Sequence, residues 1–100
     1  MTIEVFKTSL SAPEPPDNLP RTLQALWYDA KEDWQTAHNI VQEIGSEDAS
    51  WIHAYLHRKE GDHGNAGYWY RRAGKPMPKN TLSEEWEEIV SGLLARRDAR

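Results

Sequence analysis

Apolar residues in this chain recur mostly at three- and four-residue spacing, the period of a helix that turns one face to a core. Leu23, Leu26, Trp27 and Ala30 follow that period, and Pro20 suits the first turn ahead of them. Trp34, Ala37, Ile40, Val41 and Ile44 make a second run, which Gly45 is placed to stop in a left-handed conformation. Ser46 offers an N-cap to a third helix, with Glu47 and Asp48 where the helix dipole favours anions. That helix is expected to run to Glu60 and end at Gly61, and Asp62 to cap a short fourth helix through Ala73, closed by Gly74 and the turn KPMPKN. In the last helix Thr81 and Glu84 form a capping box, and Trp86, Ile89, Val90, Leu93 and Leu94 make one apolar stripe. Its acidic start (Glu84, Glu85, Glu87, Glu88) and basic end (Arg96, Arg97) both counter the dipole.

Residues 1–19 break the pattern. Ile3, Val5 and Phe6 suggest a short extended piece, and Pro13, Pro15, Pro16 and Pro20 block helix and favour polyproline-like extension. The expectation is therefore all-α: about five helices in antiparallel hairpins over residues 20–100, behind an extended Pro-rich N-terminal arm over residues 1–19 that is either loosely ordered or laid over the helical body.

Two segments match at a separation of 29 residues: KEDWQTA, ending in Ala37, and EGDHGNA, ending in Ala66, with Asp33 matching Asp62. Each opens the second helix of a helix–turn–helix pair, and each alanine allows close approach to the partner helix. The second unit, with Gly61-Asp62, Ala66, Tyr70, Ala73 and Pro78, resembles a tetratricopeptide-type hairpin. The first departs from it, with Glu32 at the turn, Val41 for the large aromatic and no closing proline. Such hairpins bury a continuous core only with neighbours, so the last helix would act as a cap; an irregular five-helix bundle fits the same pattern. A second resemblance is carried by WIHAYLHRKEGD followed by NAGYWYRRAG. These runs are similar to the signature of a family of small, uncharacterised bacterial proteins of about this length. That resemblance implies a self-contained bacterial domain and supplies no mechanism.

A chain of 100 residues folds as one domain and buries roughly 65% of its unfolded surface, so a core is possible without staples. There is no cysteine, hence no disulfide framework and no thiolate metal site. No segment nears the ~18 apolar residues of a membrane span, which makes a cytoplasmic protein without membrane contact the expectation. The net charge of -4 argues against a nucleic-acid partner. It also hides an asymmetry: residues 1–50 carry three Lys/Arg against nine Asp/Glu, whereas residues 51–80 carry six against two. The basic segment is also the aromatic one.

Three of four histidines, two of five tryptophans and three of four tyrosines fall between Trp51 and Gly74. His53 and His57 lie one helical turn apart, Glu60 extends their face, and Asp62 or His63 just beyond the turn offers a third ligand for a divalent metal. The sequence lacks a glutamate directly after His53, as H-E-x-x-H requires, and His57 also suits a buried position between two helices. Convergence of these groups on an accessible site would favour a ligand; a sealed His57 would not. Tyr68, Trp69, Arg71 and Arg72, with Arg58, make an aromatic–basic face of the composition enriched at interface hot spots, and one that also suits a small anion. The competing reading pairs these arginines with Glu60, Asp62 or the acidic N-terminal half. No serine sits in a motif that activates a nucleophile, so an enzyme is not expected. The expected role is a protein-interaction or assembly module binding a protein or peptide partner, with self-association through an apolar patch as a further outcome. The alternative is a small-anion or divalent-metal binder with hydrolytic activity as an extension; otherwise no cofactor is expected.

Overall fold

In the computed structural model, which describes residues 1–98, the described residues form six α-helices and one 3-10 turn. These are α1 (Ile3–Thr8), the turn Ser9–Ser11, α2 (Arg21–Ala30), α3 (Trp34–Val41), α4 (Glu47–Lys59), α5 (His63–Ala73) and α6 (Leu82–Asp98). Helices α2 and α3 pair as one hairpin, α4 and α5 as another, and α6 packs against α2 and α4. The whole measures 34 × 28 × 26 Å.

Helix α4 lies at the centre. Every residue from Ala49 to His57 is buried, because α2, α3, α5 and α6 all reach it. A helix enclosed on all sides cannot place its polar residues on a wet face, so each must find a partner inside. Tyr55 Oη donates to Asp29 Oδ2 at 3.1 Å. Trp51 Nε1 donates to Glu85 Oε2 at 3.1 Å, and Tyr70 Oη on α5 donates to the same carboxylate at 2.7 Å. Burial and their carboxylate partners push both tyrosine hydroxyls well above the ordinary phenol range. All five tryptophans are buried or half-buried.

The helix ends follow their caps. Ser46, Asp33 and Asp62 each accept a backbone N–H three residues on, and Thr81 and Glu84 exchange reciprocal bonds at 2.9 and 3.1 Å. Those bonds hold the Glu84 carboxyl below its ordinary range. Gly61 and Gly74 close α4 and α5 at φ of 86° and 70°. Gly45 does not act this way: α3 ends earlier, at Val41, and Gly45 stands outside the positive-φ positions.

The start of the chain corrects the expectation of an extended arm. Residues 3–8 are helical, capped by Thr2, and Phe6 is fully buried against the Trp86 ring at 5.8 Å. Ile3, Phe6 and Leu10 are spaced as a helical face, and all three pack on the core. The prolines begin only at Pro13 and leave these residues unconstrained. Lys31 Nζ then fixes the following segment by donating to the carbonyls of Leu10 (2.7 Å) and Ala12 (3.2 Å).

Candidate metal centre

At the seam between the two hairpins, α3 runs beside α4 and brings His38 level with His53. Their Nε2 atoms stand 3.0 Å apart, a distance at which one ring donates and the other accepts. His57, one turn along α4, completes a group of three in which a ring nitrogen of each lies within 4.8 Å of the others. Stacked and edge-on aromatic contacts hold the rings. Trp34 stacks on His38 (4.8 Å, 10°) and meets His57 edge-on (5.9 Å); Trp69 stacks on His53 (3.9 Å, 15°), and His53 stacks on His57 (4.9 Å, 26°). Trp34 is itself fixed by donating from Nε1 to the Leu56 carbonyl at 2.8 Å.

His53 and His57 are buried, at 5% and 6% exposure, and His38 is half-buried. His57 is thus sealed between helices, the outcome set against a ligand in the sequence, and the cluster reaches the surface through the half-buried His38, which the sequence reading did not include. Burial, reinforced by the His38 and His57 imidazoles beside it, lowers His53 to a pKa of about 4. Burial and His57 also lower His38, with Glu60 opposing. Both rings are therefore neutral at pH 7, the form whose lone pair binds a metal. His57 Nδ1 bonds the Glu60 carboxylate at 2.6 Å, which leaves Nε2 as the ligand atom. A carboxylate behind a histidine ligand fixes its tautomer and raises its basicity.

The geometry fits a tetrahedral ion in part as it stands. Metal–nitrogen bonds of ~2.0–2.1 Å put ligand nitrogens about 3.3 Å apart. His38 and His53 already meet that spacing closely, and a ring nitrogen of His57 lies within 4.8 Å of both. Three neutral nitrogens with no thiolate suit zinc, copper or nickel far better than magnesium or calcium.

Of the residues singled out in the sequence as metal ligands, His53 and His57 come together with His38, Asp62 reaches His57 alone of the two, and His63 joins neither group. Asp62 accepts the Asn65 N–H at 3.2 Å as the cap of α5, and sits with His57 and Glu60 in a second group. His63 is exposed as the first residue of α5. His38 lies 15 residues from His53 and belongs to the first hairpin, so no local spacing in the sequence links the two. Its signal was its place in the repeat: antiparallel packing of α3 on α4 sets it opposite His53.

The aromatic–basic face divides. Arg58 turns inward, donating from Nη1 to Glu85 Oε1 at 2.7 Å and from Nη2 to the Asn80 carbonyl. Trp69 is half-buried against His53. Tyr68, Arg71 and Arg72 remain exposed on α5, with the Arg72 guanidinium 5.8 and 5.5 Å from the Tyr68 and Trp69 rings. Among the described residues no helix is long and apolar enough to cross a membrane. No known family model, curated protein or solved structure matches the chain.

Proposed function

We propose that this domain binds a divalent transition-metal ion through His38, His53 and His57. The observation that carries the reading is the convergence of three imidazoles from two helices, two of them with pKa values lowered, and the third held by a carboxylate on its far nitrogen. Three protein ligands leave a fourth position for water or a small anion. Purified, metal-stripped protein should gain several degrees in thermal midpoint with Zn2+, Ni2+ or Cu2+ and none with Mg2+. At about 100 times Kd the stabilisation is about 2.7 kcal/mol. Cu2+ should also quench tryptophan fluorescence, because Trp34 and Trp69 stack on two of the ligands. His38→Ala should abolish both responses, and His63→Ala should keep them. A flat thermal panel, or a response indifferent to His38→Ala, overturns the reading.

A second reading, a protein-interaction module, is supported by the exposed edge of α5 and the loop after it, where Tyr68 is 45% and Met77 48% exposed beside Arg71 and Arg72. The tetratricopeptide-like hairpins would then serve as its scaffold. Arg71→Ala combined with Arg72→Ala should weaken retention of a copurifying partner by tenfold or more; unchanged retention removes this reading.

A further inference from the structure

His57 belongs to two groups at once. A ring nitrogen of His57 lies within 4.8 Å of nitrogens of His38 and His53, and Glu60 and Asp62 each hold a carboxylate oxygen within 4.8 Å of the other and of the ring. Because Nδ1 bonds Glu60 at 2.6 Å, Nε2 is the nitrogen left for the two histidines. Resting on the metal reading above, we infer that the site is built for two ions, with the His57 imidazole bridging them. The first ion takes His38, His53 and His57 Nε2; the second takes His57 Nδ1, Glu60 and Asp62.

Three features support the bridge. His57 is buried and pinned between Trp34, His38 and His53, so its ring plane is set and its two nitrogens point to fixed, opposite places. The second group is anionic and exposed, which offsets the charge of a second cation and leaves an entry path. Its members also come from a rigid frame. Glu60 ends α4, Gly61 turns the chain at φ 86°, and the Asp62 N–H donates to the His57 carbonyl at 2.9 Å. The two donor sets differ in kind: three imidazoles in one, an imidazole and two carboxylates in the other. Occupying the second position replaces the Nδ1–H bond by an Nδ1–metal bond. The displaced proton leaves to solvent, and the bridging imidazolate carries one negative charge between two cations.

The test titrates metal-stripped full-length protein with Cu2+ while following stoichiometry by calorimetry and the spin signal by electron paramagnetic resonance. The expected result is two equivalents per chain, with a copper signal that grows through the first equivalent and falls during the second as the bridged ions couple. Glu60→Gln with Asp62→Asn should bind one equivalent and keep its signal; asparagine retains the cap of α5, so the fold should hold. Glu60→Gln alone gives a second route should the double variant fail to fold, and it should weaken the second equivalent by at least tenfold. One equivalent in the unmodified chain, lost in His38→Ala, overturns the bridge and leaves the three-histidine site standing. Two equivalents with undiminished signals, or a second equivalent indifferent to Glu60→Gln, likewise overturn the bridge. Failure to bind any copper sinks both readings together.

Discussion

The two hairpins share a turn and differ in what stands at it. At the same offset of 29 residues, Asp33 and Asp62 donate backbone N–H bonds of 2.9 Å to Tyr28 and His57 and cap the following helix, and Ala37 and Ala66 are fully buried behind them. Yet the residue before the aspartate is Glu32 in one turn and Gly61 in the other, both left-handed at φ 63° and 86°. The cap and the buried alanine therefore set the turn, and glycine only lowers its cost. The chemistry enters elsewhere: where the first hairpin has Gln24 and Tyr28, the second has His53 and His57.

Each hairpin is anchored by one buried carboxylate, Asp29 on α2 for the first and Glu85 on α6 for the second, and their removal should give the largest effects. Glu85 holds Trp51, Arg58 and Tyr70, tying the second hairpin to α6; Asp29 holds Tyr55 and Lys59, tying the first hairpin to α4. Removing Glu85 strands two buried donors and the half-buried Arg58 guanidinium, so Glu85→Ala should cost roughly 3–5 kcal/mol in urea unfolding. Asp29→Ala should cost less, about 2–3 kcal/mol, since the Lys59 side chain, at 27% exposure, can turn to water when its partner is gone. Equal losses would mean that the two anchors are equivalent, contrary to the different exposure of their cationic partners, 15% for Arg58 and 27% for Lys59.

Next in size is the pH response of the metal-stripped protein, which distinguishes the hairpins by their histidines. His53 titrates at about 4 in the fold and near 6.5 unfolded. Between those values the unfolded chain binds more protons, so stability rises with pH through that window and is lost as pH falls from 6.5 towards 4. The single group accounts for up to about 3 kcal/mol. His53→Gln installs the residue that the first hairpin carries at this position and should flatten the urea midpoint between pH 4.5 and 7.5. An unaltered slope would place the titrating group elsewhere.

The architecture was largely legible because periodicity, caps and the repeat all pointed the same way. The capping box at Thr81, the Asp62 cap and the Gly61 and Gly74 stops stand where their residue types placed them. Two things were hidden for physical reasons. Glu85 read as a first-turn acid facing the dipole, but α6 lies with that position under Trp51 and Tyr70, and no local signal separates a buried acid from its exposed neighbours Glu84 and Glu88. The metal candidate was half visible: His53 and His57 share one helix, and i,i+4 spacing reports on that helix alone. His38 reaches them only through packing between hairpins, and Arg58 left the expected surface because Glu85 was waiting inside.

The smallest effects test the turn itself. A Cβ added at Gly61 meets nothing within 4 Å, so Gly61→Ala should cost only the left-handed backbone penalty, about 1–2 kcal/mol. Glu32 already bears that penalty in the first hairpin. Glu32→Gly relieves it but adds freedom to the unfolded chain, worth roughly 0.5–1 kcal/mol in the opposite direction. The net should be a gain of about 0.5 kcal/mol, read as a small rise in urea midpoint at constant slope. Paired with Gly61→Ala, this asks whether the two turns obey one backbone rule. A loss of stability in Glu32→Gly would show that the Glu32 side chain holds the first turn by a contact that Gly61 cannot supply, and the hairpins would then share a shape without sharing its cause.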